Sequence, residues 1–186
     1  MSRGCIVIVS GPSGVGKDTV IAAWAERDPR VQRVVACTTR LPRPGEQQGV
    51  DYHFIDESLF LDKAARGEFI EYKLVHGNYY ATPKSGLDEL LSQGQIAVLK
   101  IDVQGALTVM ESEPYVRSIF LLPPSWDVLE QRIRGRGTES EAVIQKRLEG
   151  ARQEIALADR YQHRVVNDDL QMALDQLQEI VKDCSE

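Results

Sequence analysis

Cysteine is scarce: Cys5, Cys37 and Cys184 are odd in number, widely spaced and form no C-x-x-C pair. That spacing argues against a zinc site and against a disulfide framework. It predicts three reduced thiols that pack as small apolar groups in a cytoplasmic protein. No apolar run approaches the ~18 residues of a membrane span, and the stretch after Met1-Ser2-Arg3-Gly4 is too short for a signal-peptide core. The three histidines, His53, His76 and His163, lack metal-ligand spacing and read as surface or satisfied structural residues. Basic residues are outnumbered, 22 against 28, for a net charge of −6. Non-specific binding to nucleic acid is thereby disfavoured, and an anionic ligand needs a local cluster of positive charge. Repeats, low-complexity tracts and long Pro/Gly/Ser linkers are absent.

What remains is a chain of 186 residues, 42% hydrophobic and 27% charged, with ample material for one core. Strand-like and helical segments alternate, which predicts an α/β fold with a largely parallel sheet. Residues 5–10, 95–101 and 117–122 are nearly continuous apolar runs and read as buried parallel strands. Shorter strands are expected over 31–37, 52–55, 68–75 and 164–166. Helices are expected over 17–27, after Asp56 to about Arg66, over 85–92, after Asp102, after Ser125 to about Arg134, and over 170–182. Thr138-Glu139-Ser140-Glu141 has the form of a capping box opening a helix to about Asp159. The stretch from about 38 to 82 has short strands, tyrosines and turn residues, and reads as an insertion into the α/β core.

Gly11-Pro12-Ser13-Gly14-Val15-Gly16-Lys17 fits G-x-x-x-x-G-K, directly after a buried strand and directly before a helix. Glycines let consecutive backbone N–H groups turn inward around phosphate oxygens. The helix N-terminus adds partial positive charge, and the lysine reaches the outer phosphates. The next position, where Ser or Thr ordinarily ligates Mg²⁺, is Asp18, followed by Thr19. Asp18 either ligates Mg²⁺, directly or through water, or serves the helix start as a favourable negative charge.

In the loop Thr38 to Glu46, Arg40 and Arg43 are flanked by prolines. Two guanidiniums three residues apart in a stiffened loop suit a second phosphate, which arginine binds bidentately. Tyr52 and Tyr80 can add phenolic donors. A solvated loop with ordinary ion pairs is the alternative.

At this point the chain resembles the guanylate kinase family, in motifs that run in order along nearly its whole length. They are Ser10 to Lys17; Thr38-Thr39-Arg40-x-Pro42-Arg43-x-Gly45-Glu46-x-x-Gly49-x-Asp51-Tyr52-x-Phe54; Phe69-Ile70-Glu71-Tyr72; Gly77-Asn78-Tyr79-Tyr80; Ile101-Asp102-Val103-Gln104-Gly105; Arg134 to Glu139; and Val166-Asn167-Asp168-Asp169. The resemblance implies a P-loop NTPase-type parallel sheet with helices on both faces, a small mixed GMP-binding insertion and a helical lid. As one domain, the core would be about 1–37, 83–133 and 148–186, the insertion about 38–82 and the lid about 134–147.

It also implies transfer of the terminal phosphoryl group of ATP to GMP with Mg²⁺, giving ADP and GDP, in purine nucleotide metabolism. Gly11, Pro12, Ser13, Gly14, Val15, Gly16, Lys17, Asp18 and Thr19 would hold ATP phosphates, with Asn167 at adenine. Arg40, Arg43, Glu46, Tyr52 and Tyr80 would form the GMP phosphate site. Glu71 would accept from guanine N1–H and the 2-amino group, and Thr82 would meet O6. Asp102 would lie near GMP or, through water, in the Mg²⁺ shell. Lys17, Arg40, Arg132, Arg136 and Arg147 would stabilise the transferring group, the last three from the lid. The partners implied are the two nucleotides, with neither nucleic acid nor membrane; the oligomeric state is left open.

Four positions depart from the family pattern. Asp18 replaces the hydroxyl residue, and Ala36 stands where some members have a guanine-reading serine. Ala81 replaces a common glycine, and Lys100 stands where a carboxylate or apolar residue is frequent. Two other readings are open. Gly16-Lys17-Asp18 also resembles ribose 1,5-bisphosphate phosphokinases, which would need neither the 38–54 motif nor Glu71. Guanylate-kinase-like scaffold domains bind phosphopeptides without catalysis, but typically carry a degraded phosphate loop.

Overall fold

The structure is a computed structural model that describes residues 4–75, 77–135 and 140–185. Five strands form a wholly parallel sheet in the order β2 (Val31–Arg33), β7 (Ile96–Lys100), β1 (Cys5–Ser10), β8 (Arg117–Leu122), β9 (His163–Val166). β1 lies at the centre, and its alternate side chains feed opposite faces. Val7 and Val9 pack with Val20, Trp24, Leu174 and Leu177 of α1 (Lys17–Arg27) and α7 (Leu170–Val181). Ile8 packs with Leu99, Val103, Ala106 and Phe120 on the face covered by α3 (Lys84–Ser92) and α4 (Val103–Ser112). Val7, Ile8 and Val9 are wholly buried. Each such side chain contributes about 1.5–3 kcal/mol, which is why a central parallel strand reads as an unbroken apolar run.

A second, mixed sheet has the order β4 (His53–Phe54), β3 (Cys37–Thr38), β6 (Asn78–Pro83), β5 (Phe69–Val75). Its own small core joins Cys37, Phe69 and Ala81 to Phe60 of α2 (Glu57–Ala65). Helices α5 (Trp126–Arg134) and α6 (Glu141–Ile155) pack through Leu129, Ile133, Ile144 and Leu148. Among the described residues no helix is long and apolar enough to cross a membrane.

The α/β class and most element positions follow the sequence reading, with four corrections. The strand expected over 31–37 is two strands in different sheets. Val34 N–H still bonds Val98 O of the parallel sheet, whereas Cys37 pairs with His53 and Ala81 of the other. An apolar run does not reveal which sheet it will join. Strand β6 was not expected, because only a turn signal at Gly77 preceded the next helix. Helix α6 stops at Ile155, and a short 3₁₀ turn spans Ala158–Arg160. Its N-cap Ser140 makes no side-chain cap bond, while Thr138 and Glu139 of the expected capping box lie outside the described residues.

The cysteine expectation is corrected too. Cys5 and Cys184 are joined in a disulfide with Cα atoms 5.7 Å apart, across a sequence separation of 179. The C-terminal turn after α7 returns to the start of β1, a closeness that spacing cannot show. Cys37 alone is a free, buried thiol, and burial raises its pKa. Cysteine usage therefore carries no argument about compartment.

Candidate active site

The phosphate loop leaves the carboxyl end of β1 and enters α1. Gly11, Gly14 and Gly16 have φ of 148°, 86° and 99°. A Cβ on Gly11 would lie 2.5 Å from Leu121 O of the neighbouring strand, so only glycine fits. Lys17 curls back, donating to Gly11 O at 2.5 Å and Pro12 O at 3.1 Å. Asn167, just after β9, donates its Nδ2–H to Val15 O at 2.8 Å. From α5, Arg132 donates to Val15 O and Asn167 O, both at 3.3 Å. From α6, Arg147 donates to Ser13 Oγ at 2.6 Å. The structure thus brings Lys17, Arg132, Arg147 and Asn167 around one loop. Thr19 is exposed in the first turn of α1, and Arg136 lies outside the described residues.

Asp18 stands in the first turn of α1, where its negative charge suits the helix start, although Gly16 and not Asp18 holds the N-cap position. Its carboxylate also pairs with Lys100 Nζ at 2.5 Å. Burial acts to raise the Asp18 pKa, but the hydrogen bond and charge of Lys100, with Arg33 and Lys17 beyond, outweigh it and hold the carboxyl below its usual value.

In the second sheet, Arg40 forks onto Glu46 with two 2.8 Å bonds and lies over the rings of Tyr52 and Phe54, 5.4 and 5.7 Å from their centroids. Glu46 also accepts from the Arg43 backbone N–H at 2.7 Å. The Arg40 hydrogen bonds, then that backbone bond, lower its pKa to about 2. The Tyr80 ring stands edge-on to Tyr52 at 6.0 Å. Arg40 Nε is buried without a hydrogen-bond partner.

A cavity of ≈ 220 Å³ opens between the two sheets, lined by Ala36, Tyr52, Glu71, Tyr80, Thr82 and Asp102 among others. Thr82 Oγ1 donates to Glu71 Oε1 at 2.7 Å. A Cβ on Gly105 would lie 2.7 Å from Glu71 Oε2, so glycine at the start of α4 makes room for this carboxylate. Burial pushes the Glu71 pKa up, against the pull of the Thr82 hydrogen bond and the Lys73 charge. Asp102 caps α4, accepting from Gly105 N–H at 3.0 Å, and forms an ion pair with Lys73. A larger adjoining cavity of ≈ 630 Å³ is lined by Ser13, Arg43, Lys73, Lys146, Arg147 and Glu154 among others. It runs from the phosphate loop toward the first cavity, with which it shares Lys73 and Asp102.

Sequence reading missed Lys73, the partner of Asp102. The signal was present: Lys73 lies two residues from Glu71 on β5 and so shares its face. Lys146, one residue before Arg147, and Glu154 were also missed. Glu154 has its pKa raised by burial, against the charge of Lys17 and a backbone hydrogen bond from Ser13. Neither Asp18 nor Asp102 is an open metal ligand, because a lysine holds each carboxylate. Among the described residues no group of three or more His, Cys, Asp or Glu is placed to hold a metal ion. The described side chains do not by themselves form a Mg²⁺ site.

A parallel sheet of this order, with a glycine loop and lysine at the carboxyl end of its central strand, defines a P-loop nucleotide-binding protein. The sequence model of the guanylate kinase family matches residues 3–184. The chain is 47% identical to guanylate kinase of Aromatoleum aromaticum, over 96% of this chain and 88% of that one. It is 45% identical to that of Gloeobacter violaceus, over 95% and 86%. The solved guanylate kinase from Anaplasma phagocytophilum superposes with a TM-score of 0.78 at 33% identity, covering 100% of this chain and 88% of that one. A shikimate kinase from Bacteroides thetaiotaomicron shares the fold alone, with a TM-score of 0.51 at 17% identity over 96% and 98% of the two chains. The chain belongs to the guanylate kinase family and is a nucleoside monophosphate kinase.

Proposed function

We propose that the enzyme transfers the terminal phosphoryl group of ATP to GMP, releasing ADP and GDP, as a step of purine nucleotide metabolism in the cytoplasm. The observation that carries the acceptor assignment is Glu71. It is a carboxylate held by Thr82 in a cavity also lined by Tyr52 and Tyr80, with Arg40 stacked over the Tyr52 ring. Guanine offers N1–H and a 2-amino group to such an acceptor; adenine offers neither, and would leave the carboxylate unpaired. The Thr82 proton serves Glu71, so Thr82 meets guanine O6 only by turning its hydroxyl. Arg40, with its buried unpartnered Nε, and Arg43, Tyr52 and Tyr80 would take the GMP phosphate, with Glu46 holding Arg40 in place.

An oxygen of the GMP phosphate attacks the terminal phosphorus of ATP. The bond from that phosphorus to the bridging oxygen breaks, and the electron pair stays on ADP. The attacking oxygen is already ionised at neutral pH, so no general base is required. The task is to bring two anions together and steady the charge between them. The phosphate loop and Lys17 would grip ATP, with Asn167 near its adenine. Arg132 and Arg147, which already touch the loop, would supply positive charge at the transferring group, as would Arg136 by the family resemblance. Mg²⁺ would enter with ATP on the nucleotide's own phosphates, and Asp102 would stay at the GMP side with Lys73.

The test is release of ADP from Mg-ATP with GMP, AMP, CMP, UMP or ribose 1,5-bisphosphate as acceptor. Turnover with GMP far above all others is expected. Turnover only with the sugar bisphosphate would overturn the acceptor assignment, and no turnover with any would favour a binding module.

A further inference from the structure

Two oppositely charged residues meet beside the phosphate loop. Asp18 follows the loop lysine, and Lys100 ends β7, the strand beside β1. They are 82 residues apart in sequence and 2.5 Å apart in space. The Lys100 side chain is 21% exposed and that of Asp18 75% exposed. The cation is therefore the covered partner and needs an anion close by. Asp18 supplies it from the solvent side. The charges acting on Asp18, Lys17 of its own helix and Arg33 and Lys100 of the neighbouring strands β2 and β7, are all positive. An unpaired carboxylate here would repel nucleotide phosphates and attract a divalent cation. Paired, it does neither strongly.

We infer that the Asp18–Lys100 pair replaces a protein-held metal ligand on the phosphate loop: Lys100 closes Asp18 to divalent cations, and the chain grips ATP without lending the ion a ligand at this position. The inference rests on the reading of this loop as the ATP site. It makes the two side chains one device. The hydroxyl that would ordinarily ligate Mg²⁺ is gone, and a lysine covers the carboxylate that stands in its place.

The test is calorimetric binding of a non-hydrolysable ATP analogue, in Mg²⁺ and in EDTA, to the wild-type chain and to D18N and K100M. For the wild type the two dissociation constants are expected to agree within about threefold, too small a gap for a lost metal ligand. In D18N, Lys100 is released toward the phosphates, so metal-free binding tightens by about threefold or more while binding in Mg²⁺ holds. In K100M the bared carboxylate weakens metal-free binding, and the ratio of the two constants grows about tenfold. D18N alone decides the matter if K100M does not fold, since Asp18 is largely exposed. Loss of about tenfold or more in Mg²⁺-supported binding by D18N, with metal-free binding unchanged, would overturn the inference and make Asp18 a metal ligand. A K100M ratio equal to that of the wild type would overturn it as well. A folded wild type that binds no ATP analogue in either buffer would overturn the ATP-site reading itself, a result distinct from both.

Discussion

Thr82 donates its only hydroxyl proton to Glu71 across the β5–β6 hairpin, at 2.7 Å. A hydroxyl with one proton can orient the carboxylate or serve the ligand, but not both at once. The structure assigns it to the carboxylate. Thr82→Val keeps the shape and removes the bond. It is expected to raise KM for GMP about tenfold, the cost of one hydrogen bond to a charged group. Steady-state kinetics at saturating ATP checks this, and an unchanged KM would show that Thr82 does not position Glu71.

Gly105 makes room for the same carboxylate from the other side. In Gly105→Ala the new Cβ would meet Glu71 Oε2 at 2.7 Å. The clash falls on the far end of a flexible side chain, so Glu71 moves and α4 stays. The substitution also improves helix propensity by up to about 1 kcal/mol. Thermal stability is therefore expected to hold or rise while KM for GMP climbs about tenfold or more. A parallel loss of both would mean that Gly105 serves packing alone.

The pH dependence of stability has a definite sign. Burial raises the Glu71 pKa above the ordinary value of 4.5. A group with a raised folded pKa contributes stability that is fully present below its unfolded pKa and is lost as pH rises through its folded pKa. Glu71→Gln does not titrate. It should gain stability relative to the wild type as pH rises above 4.5, and the difference should close toward lower pH. Chemical denaturation across that range measures it. A difference independent of pH would show that the carboxylate is not desolvated.

The disulfide ties the first strand to the C-terminal turn. Closing so long a loop restrains the unfolded chain, and such a bridge typically contributes about 2–4 kcal/mol. Cys184→Ser is expected to lower stability by that amount in oxidising buffer and to match the wild type in excess reductant. Equal stability in both buffers would show that the bridge does not form in solution.

Much of this was legible in the sequence, and the reasons differ by element. Strand β1 and its loop are local: an apolar β-branched run, glycines needed for positive φ, and a lysine at the helix start. Helices α2 and α5 announce themselves through Asp56 and Ser125, whose side chains accept from Leu59 and Val128 N–H. Strand β6 was hidden because the turn signal at Gly77 and the helix start at Lys84 leave only six residues between them, and the last of these, Pro83, cannot donate to a sheet. The site divides the same way. Residues in contiguous motifs, such as Lys17, Arg40 and Glu71, could be named in advance. The pairings Asp18–Lys100, Asp102–Lys73 and Cys5–Cys184 join distant parts of the chain that only the fold brings together. Arg40 and Glu46 fall between these cases, six residues apart in one motif, yet joined by a fork that spacing alone does not require.

The measurement that bears most directly on the account is the ratio of kcat/KM for GMP to that for AMP, in the wild type and in Glu71→Gln. A site built to hydrogen-bond a group that the competitor lacks discriminates by about 10⁴. A wild-type ratio of that order is expected, falling at least about a hundredfold in Glu71→Gln, mostly through GMP, because a neutral amide accepts weakly and presents donors to donors. A ratio unmoved by the substitution would contradict the account and place base recognition elsewhere.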